Sequence, residues 1–171
     1  VISSRPNLLF LLDTLVYELN QIQIANGPGN YVNVRQVLTP DFPPNDMDRV
    51  WGVPETPALL VWLLSLGHGR NPNTIQDVYV NARVEIVGVV KAKEGVQYLA
   101  AALCESVRRV MLSNPYRVHP NLTAAPPFVG VGTFEDPRGT AFEVSNLEES
   151  VSACAFGSTW NLEYQFPITT G

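Results

Sequence analysis

Apolar residues along the chain switch between two periods, and the switches mark out its elements. Leu8, Leu9, Leu12, Leu15, Val16, Leu19 and Ile22 recur every three or four residues, which predicts one wide apolar helix face. Asp13, Glu18 and Gln21 fall on the opposite side. Ser4 suits the N-cap, Pro6 the first turn, and Asn26-Gly27-Pro28 a stop. The helix is therefore expected over residues 7–25.

A strand is expected over residues 31–38, with Tyr31, Val32, Val34 and Val37. Residues 39–56 read as irregular, because Pro40, Pro43, Pro44 and Pro54 interrupt backbone hydrogen bonding. That stretch carries Phe42, Met47, Val50 and Trp51. Large apolar side chains on a long loop lie against something, either the protein's own core or a neighbouring subunit.

Residues 58–66 form an unbroken apolar run between Pro57 and Gly67, as in a strand buried on both faces. Residues 67–73 read as a turn. Residues 74–90 then alternate. Val78, Val80, Ala82, Val84 and Ile86 share one face, and Tyr79, Asn81, Arg83 and Glu85 the other. Val87 to Val90 are apolar on both faces, so that end of the strand should be covered. Residues 58–90 together predict a long antiparallel hairpin.

A second helix is expected over residues 95–112, with Val96, Leu99, Ala100, Leu103, Val107, Val110 and Met111 as its stripe. Arg108 and Arg109 are placed in its last turn, where cations suit the helix dipole. Ser113-Asn114-Pro115 ends it, and a proline-rich connector follows over 115–127. Segments 128–134 and 140–144 flank Glu135-Asp136-Pro137-Arg138-Gly139, which predicts a hairpin. The last strand covers 160–168, and 151–156 is expected to be its partner. There is no βαβ repeat. The order of elements predicts one α+β domain over residues 1–171: a mainly antiparallel sheet, two helices on one face, and additional hairpins.

Composition narrows the function classes. With 171 residues the chain is long enough for its own core. A net charge of −5 argues against nucleic acid, and no sequence-specific nucleic-acid partner is expected. No apolar run approaches a membrane span, so no membrane partner is expected either. The first residues lack a secretion-signal layout, and Cys104 and Cys154 read as buried free thiols, which together predict an intracellular protein.

Catalytic chemistry finds little to use. His68 and His119 stand beside Gly or Pro with no ligand at metal-binding spacing. Asp41, Asp46 and Asp48 crowd one loop without the glycine and glutamate of a calcium-binding loop. The G-x-G fragments at Gly27, Gly67 and Gly130 complete no nucleotide motif, and no nucleophile elbow is present. Neither cysteine has a neighbouring base. The expectation is a protein that is not an enzyme, with no cofactor, metal or catalytic residue.

The order of elements resembles that of the tail terminator, or tail completion, proteins of tailed bacteriophages. The resemblance is carried by the N-terminal helix from Asn7 and the strand at Tyr31. Next come the proline-flanked Ala58-Leu59-Leu60-Val61-Trp62, the amphipathic strand Val78 to Ile86 and the helix Val96 to Met111. The closing Trp160-Asn161-Leu162-Glu163-Tyr164 completes it. It implies a hexameric ring in the virion's tail or neck, assembled in the bacterial cytoplasm. The ring would cap the tail tube, end its polymerisation, and offer the head-completion or neck protein a joining surface. Its partners would be other copies of itself, the tail tube protein and the neck protein. A ring needs two different patches on each subunit. Trp51, Tyr79, Arg83 and Glu85 are the candidate interface residues, because aromatics and arginine are enriched at interfaces. The alternatives are another neck or tail tube subunit, a small-ligand-binding module or enzyme with its pocket between loops 39–56 and 113–127, and a host regulatory protein.

Overall fold

The computed structural model of the chain describes residues 7–25, 27–70, 77–113, 131–134, 142–148 and 150–167. These form three helices and eight strands. In chain order they are α1 (Asn7–Asn20), β1 (Gln23–Ala25), β2 (Tyr31–Asn33), β3 (Gln36–Leu38), α2 (Met47–Trp51), β4 (Ala58–Arg70) and β5 (Asp77–Ala92). α3 (Val96–Ser113), β6 (Val131–Phe134), β7 (Phe142–Glu148) and β8 (Val151–Pro167) follow. The fold is α+β with a mainly antiparallel sheet, as the residue pattern predicts.

The main sheet has six strands. Its order is β3-β4-β5-β8, and both β6 and β7 pair with the outer side of β8. Only the β3–β4 junction is parallel. β4 and β5 make the predicted hairpin, with Ala58 opposite Val89 and Arg70 opposite Val78. β1 and β2 form a separate two-stranded ribbon.

Alternation along β5 sorts the side chains onto two faces. Val80, Ala82, Val84, Ile86 and Val90 turn toward the helices. There they meet Leu15 and Leu19 of α1, Leu103 and Val107 of α3, and Trp160 of β8, all fully buried. This larger core gains the ~25 cal/mol per Å² that apolar burial provides. Val87 and Val89 turn to the second face, where they join Ala58, Leu60, Trp62 and Ala155. Val50 and Val53 close that smaller core from residues 39–56, with Phe42, Met47 and Trp51 packed around it. The proline-rich stretch therefore lies on its own sheet. It also contains a short helix, α2, where the sequence predicts only irregular chain. Asp46 starts this helix by accepting a hydrogen bond from the Arg49 amide at 3.3 Å.

Several expected boundaries are corrected. The first helix stops at Asn20 and not at residue 25. Gln21 and Ile22 donate to Glu18 and Leu19 at three-residue spacing, which tightens the last turn. Ile22 and Ile24 are then buried with an exposed residue between them, a strand's period. The single strand expected over 31–38 is two short strands in different sheets, because the Val34 amide donates to Ile22 and the Arg35 amide to Pro57. β4 continues through the expected turn as far as Arg70. Arg108 and Arg109 lie before the last turn of α3, which extends to Ser113. Arg109 instead pairs with Glu105, one turn back, at 2.7 Å.

The largest correction concerns the end of the chain. Segments 151–156 and 160–168 are not partners; the first and most of the second are one strand, β8. Nor do β6 and β7 pair with each other. Each lies antiparallel on β8, β7 opposite Val151 to Phe156 and β6 opposite Trp160 to Glu163. Residues 157–159 fall between the two expected segments. In the sheet, however, Gly157 lies opposite Val87 and Ser158 opposite Ile86 without leaving the ladder. The expected turn at 135–139 and the connector at 115–127 lie outside the described residues.

Candidate functional site

The second sheet face is divided along its strands. One half is apolar and covered by residues 39–56; the other is polar. Three of the hydrogen bonds that hold the covering segment down run from side chains to its backbone carbonyls. Trp62 Nε1 donates to the Phe42 carbonyl at 2.6 Å. Lys91 Nζ donates to the Val53 carbonyl at 2.6 Å, and Gln36 Nε2 to the Glu55 carbonyl at 2.9 Å. The Phe42 and Trp62 rings also meet edge to face, with centroids 5.7 Å apart. Arg49 lies over the other ring of this pair, its guanidinium carbon 5.7 Å from the Phe42 centroid.

Trp51 is half-buried at the end of α2 and packs on the smaller core. Part of its surface is thus accounted for within the chain. Arg83 and Glu85 stand two residues apart on β5 and share the second face with it. By register Arg83 is flanked by Ser65 of β4 and Asn161 of β8, and Glu85 by Trp62 and Thr159. Tyr79 occupies the same alternating set of β5 positions, opposite Gly69 and Gln165. Its side chain lies outside the described residues. The fold therefore brings Trp51, Arg83 and Glu85 to one face, and Tyr79 to the far end of the same row of positions.

Glu85 marks the boundary between the two halves. Its carboxylate reaches over Gly157, where an added Cβ would lie 3.3 Å from Oε1. Burial raises its pKa above the ordinary 4.5, and the nearby Arg83 charge offsets part of that rise. Beyond it Asn81 and Arg83 are exposed.

The other candidates separate from this face. Cys104 and Cys154 are buried free thiols on the helix side, and burial pushes the Cys154 thiol up. His68 falls within β4, opposite Val80, and not in a loop; His119 lies outside the described residues. Asp46 is occupied as the α2 cap and pairs with Arg49 at 3.3 Å. Among the described residues no group of three metal-binding side chains converges, and no helix is long and apolar enough to cross a membrane. The sequence reading missed the pins at Trp62, Lys91 and Gln36. A lone lysine directly after the apolar run 86–90 was the one available signal.

The geometry thus offers a braced surface with an apolar shoulder, an exposed arginine and a half-buried glutamate. Such a surface suits contact with another protein. Comparison with protein-family models finds no match to this chain, and no curated protein matches it.

Proposed function

We propose that this chain is a structural virion protein of the tail terminator kind: copies close into a hexameric ring on the end of a phage tail tube, stop its growth and present a joining surface to the neck. The observation that carries the reading is the second sheet face. Arg83 and Glu85 project from β5, a central strand hydrogen-bonded along both sides, next to a covering segment that is itself pinned. A rigid polar patch beside a half-buried tryptophan fits docking to protein partners. The sequence resemblance supplies the identity of those partners: neighbouring copies, the tail tube protein and the neck protein. No cofactor enters the reading.

Light scattering after size exclusion, with negative-stain imaging, tests it. Rings of about six copies, as closed heterologous contacts produce, are expected alone or on purified tail tubes. Arg83→Glu, combined with Glu85→Gln so that two carboxylates do not face each other, is expected to weaken tube capture while the protein stays folded by circular dichroism. A protein that stays monomeric and ignores tail tubes would sink the proposal.

A further inference from the structure

Among the described residues the main sheet has two open edges. Beyond Leu60, where β3 ends, no described strand pairs with the outer side of β4. On the opposite edge, none pairs with the outer side of β7. Sheet edges in monomers are ordinarily blunted with charge or proline. Residues 61–69 of β4 contain no Lys, Arg, Asp, Glu or Pro.

Exposed apolar side chains collect at these two edges. Leu63, Leu64 and Leu66 on β4 are each about 40% exposed (40%, 40% and 41%), and Phe142 and Val144 on β7 are 40% and 49% exposed. They also share a face. Leu63 lies opposite Val84 and Leu66 opposite Ala82, both on the helix side. Phe142 lies opposite Phe156 and Val144 opposite Cys154, again on the helix side. Leu64 is the extra residue of the bulge between them.

Strand direction completes the match. β4 runs against β5, β5 against β8, and β8 against β7. β7 therefore runs against β4. When a second copy continues the sheet with its helices on the same side, its β4 meets the first copy's β7 antiparallel, the more stable pairing.

We propose that the β4 edge of one copy, with Leu63 and Leu66, pairs with the β7 edge of the next, with Phe142 and Val144, so that assembled copies share one continuous sheet. The proposal rests on the reading of a self-assembling subunit and names its junction. The two edges differ, so the contact is heterologous and propagates head to tail. Leu63 and Leu66 are level with Val84 and Ala82 of β5, and Phe142 and Val144 with Gly88 and Val90, so aligning the two apolar patches requires each copy to slip along the strands.

Two edge variants, Leu66→Lys and Val144→Lys, test the junction by light scattering. Circular dichroism and melting temperature confirm that each folds; Leu66→Thr and Val144→Thr replace any that does not. Wild-type protein is expected to form oligomers. Each variant alone is expected to be monomeric. Their equimolar mixture is expected to yield a heterodimer and nothing larger, because it restores one intact junction. Variants that assemble like wild type would overturn the junction and leave the ring reading standing. Dimers of Val144→Lys alone would overturn it in favour of a β4-to-β4 contact. A wild type that stays monomeric both alone and with purified tail tubes would overturn it together with self-assembly. Edge-dependent oligomers that ignore tail tubes would support the junction and remove the tail role.

Discussion

At Gly88 the absence of a side chain makes room for a neighbour in the core. A Cβ there would run into the Phe156 ring, which lies across the strand from it. Gly88→Ala is expected to destabilise the fold by about 1–3 kcal/mol, as overpacking does, read as a lower denaturant midpoint with unchanged slope. Ser158 is polar and buried, yet satisfied: it accepts from Trp160 Nε1 at 2.9 Å and donates to the Ile86 carbonyl at 3.3 Å. Glu85 has the opposite character, because burial disfavours its charged form. Its pKa is higher folded than unfolded, so the folded state is favoured below the ordinary value of 4.5, and that advantage is lost as pH rises through the raised value. Glu85→Gln is expected to flatten this part of the stability–pH curve and to raise stability at neutral pH, measured by denaturant titration across the acid range.

Among the elements, residues 39–56 depend most on tertiary contacts. Their helix, α2, has five residues, too few to be stable alone. It persists because Val50 and Val53 are buried and the segment is tied to β4 and β5. Trp62→Phe keeps the ring contact with Phe42 but leaves a carbonyl without its donor. A loss of about 1–3 kcal/mol is expected, with faster hydrogen exchange in α2 and not in α3. Long periodic stretches were legible in the sequence for a related reason. The β5 alternation and the α3 stripe each repeat over several turns or pleats, so local pattern and tertiary burial agree. The face shared by Arg83 and Glu85 followed from that alternation alone. Short elements were not legible. Ile22 and Ile24 fit a helix stripe as well as a strand, and only the Val34 amide bonded to Ile22 decides between them. Segments 128–134 and 140–144 carry good hairpin chemistry between them, yet pairing is decided by β8, whose outer side is long enough to receive both. The pins at Trp62 and Lys91 join residues 20 and 38 positions apart, beyond the reach of periodicity.

The whole molecule is a sheet with unequal covers: two helices over one face, and a pinned segment over half of the other. Leu103 sits at the centre of the larger core, fully buried. Leu103→Ala is expected to cost about 2–5 kcal/mol while leaving the surface chemistry unchanged, which separates global stability from assembly in any functional assay. β8 has one further consequence. It follows every other described strand in the chain, yet it lies between β5 and the pair β6 and β7. During synthesis the β4–β5 hairpin emerges long before the strand that must dock beside it. Until residues 151–167 leave the ribosome, one side of β5 has no partner from its own sheet, and β6 and β7 have no template at all. Such distant pairings are slow to form. The nascent chain thus carries an open, apolar β-surface from the emergence of β5 until that of β8, and its yield in cells should depend on how well that surface is shielded in the interval.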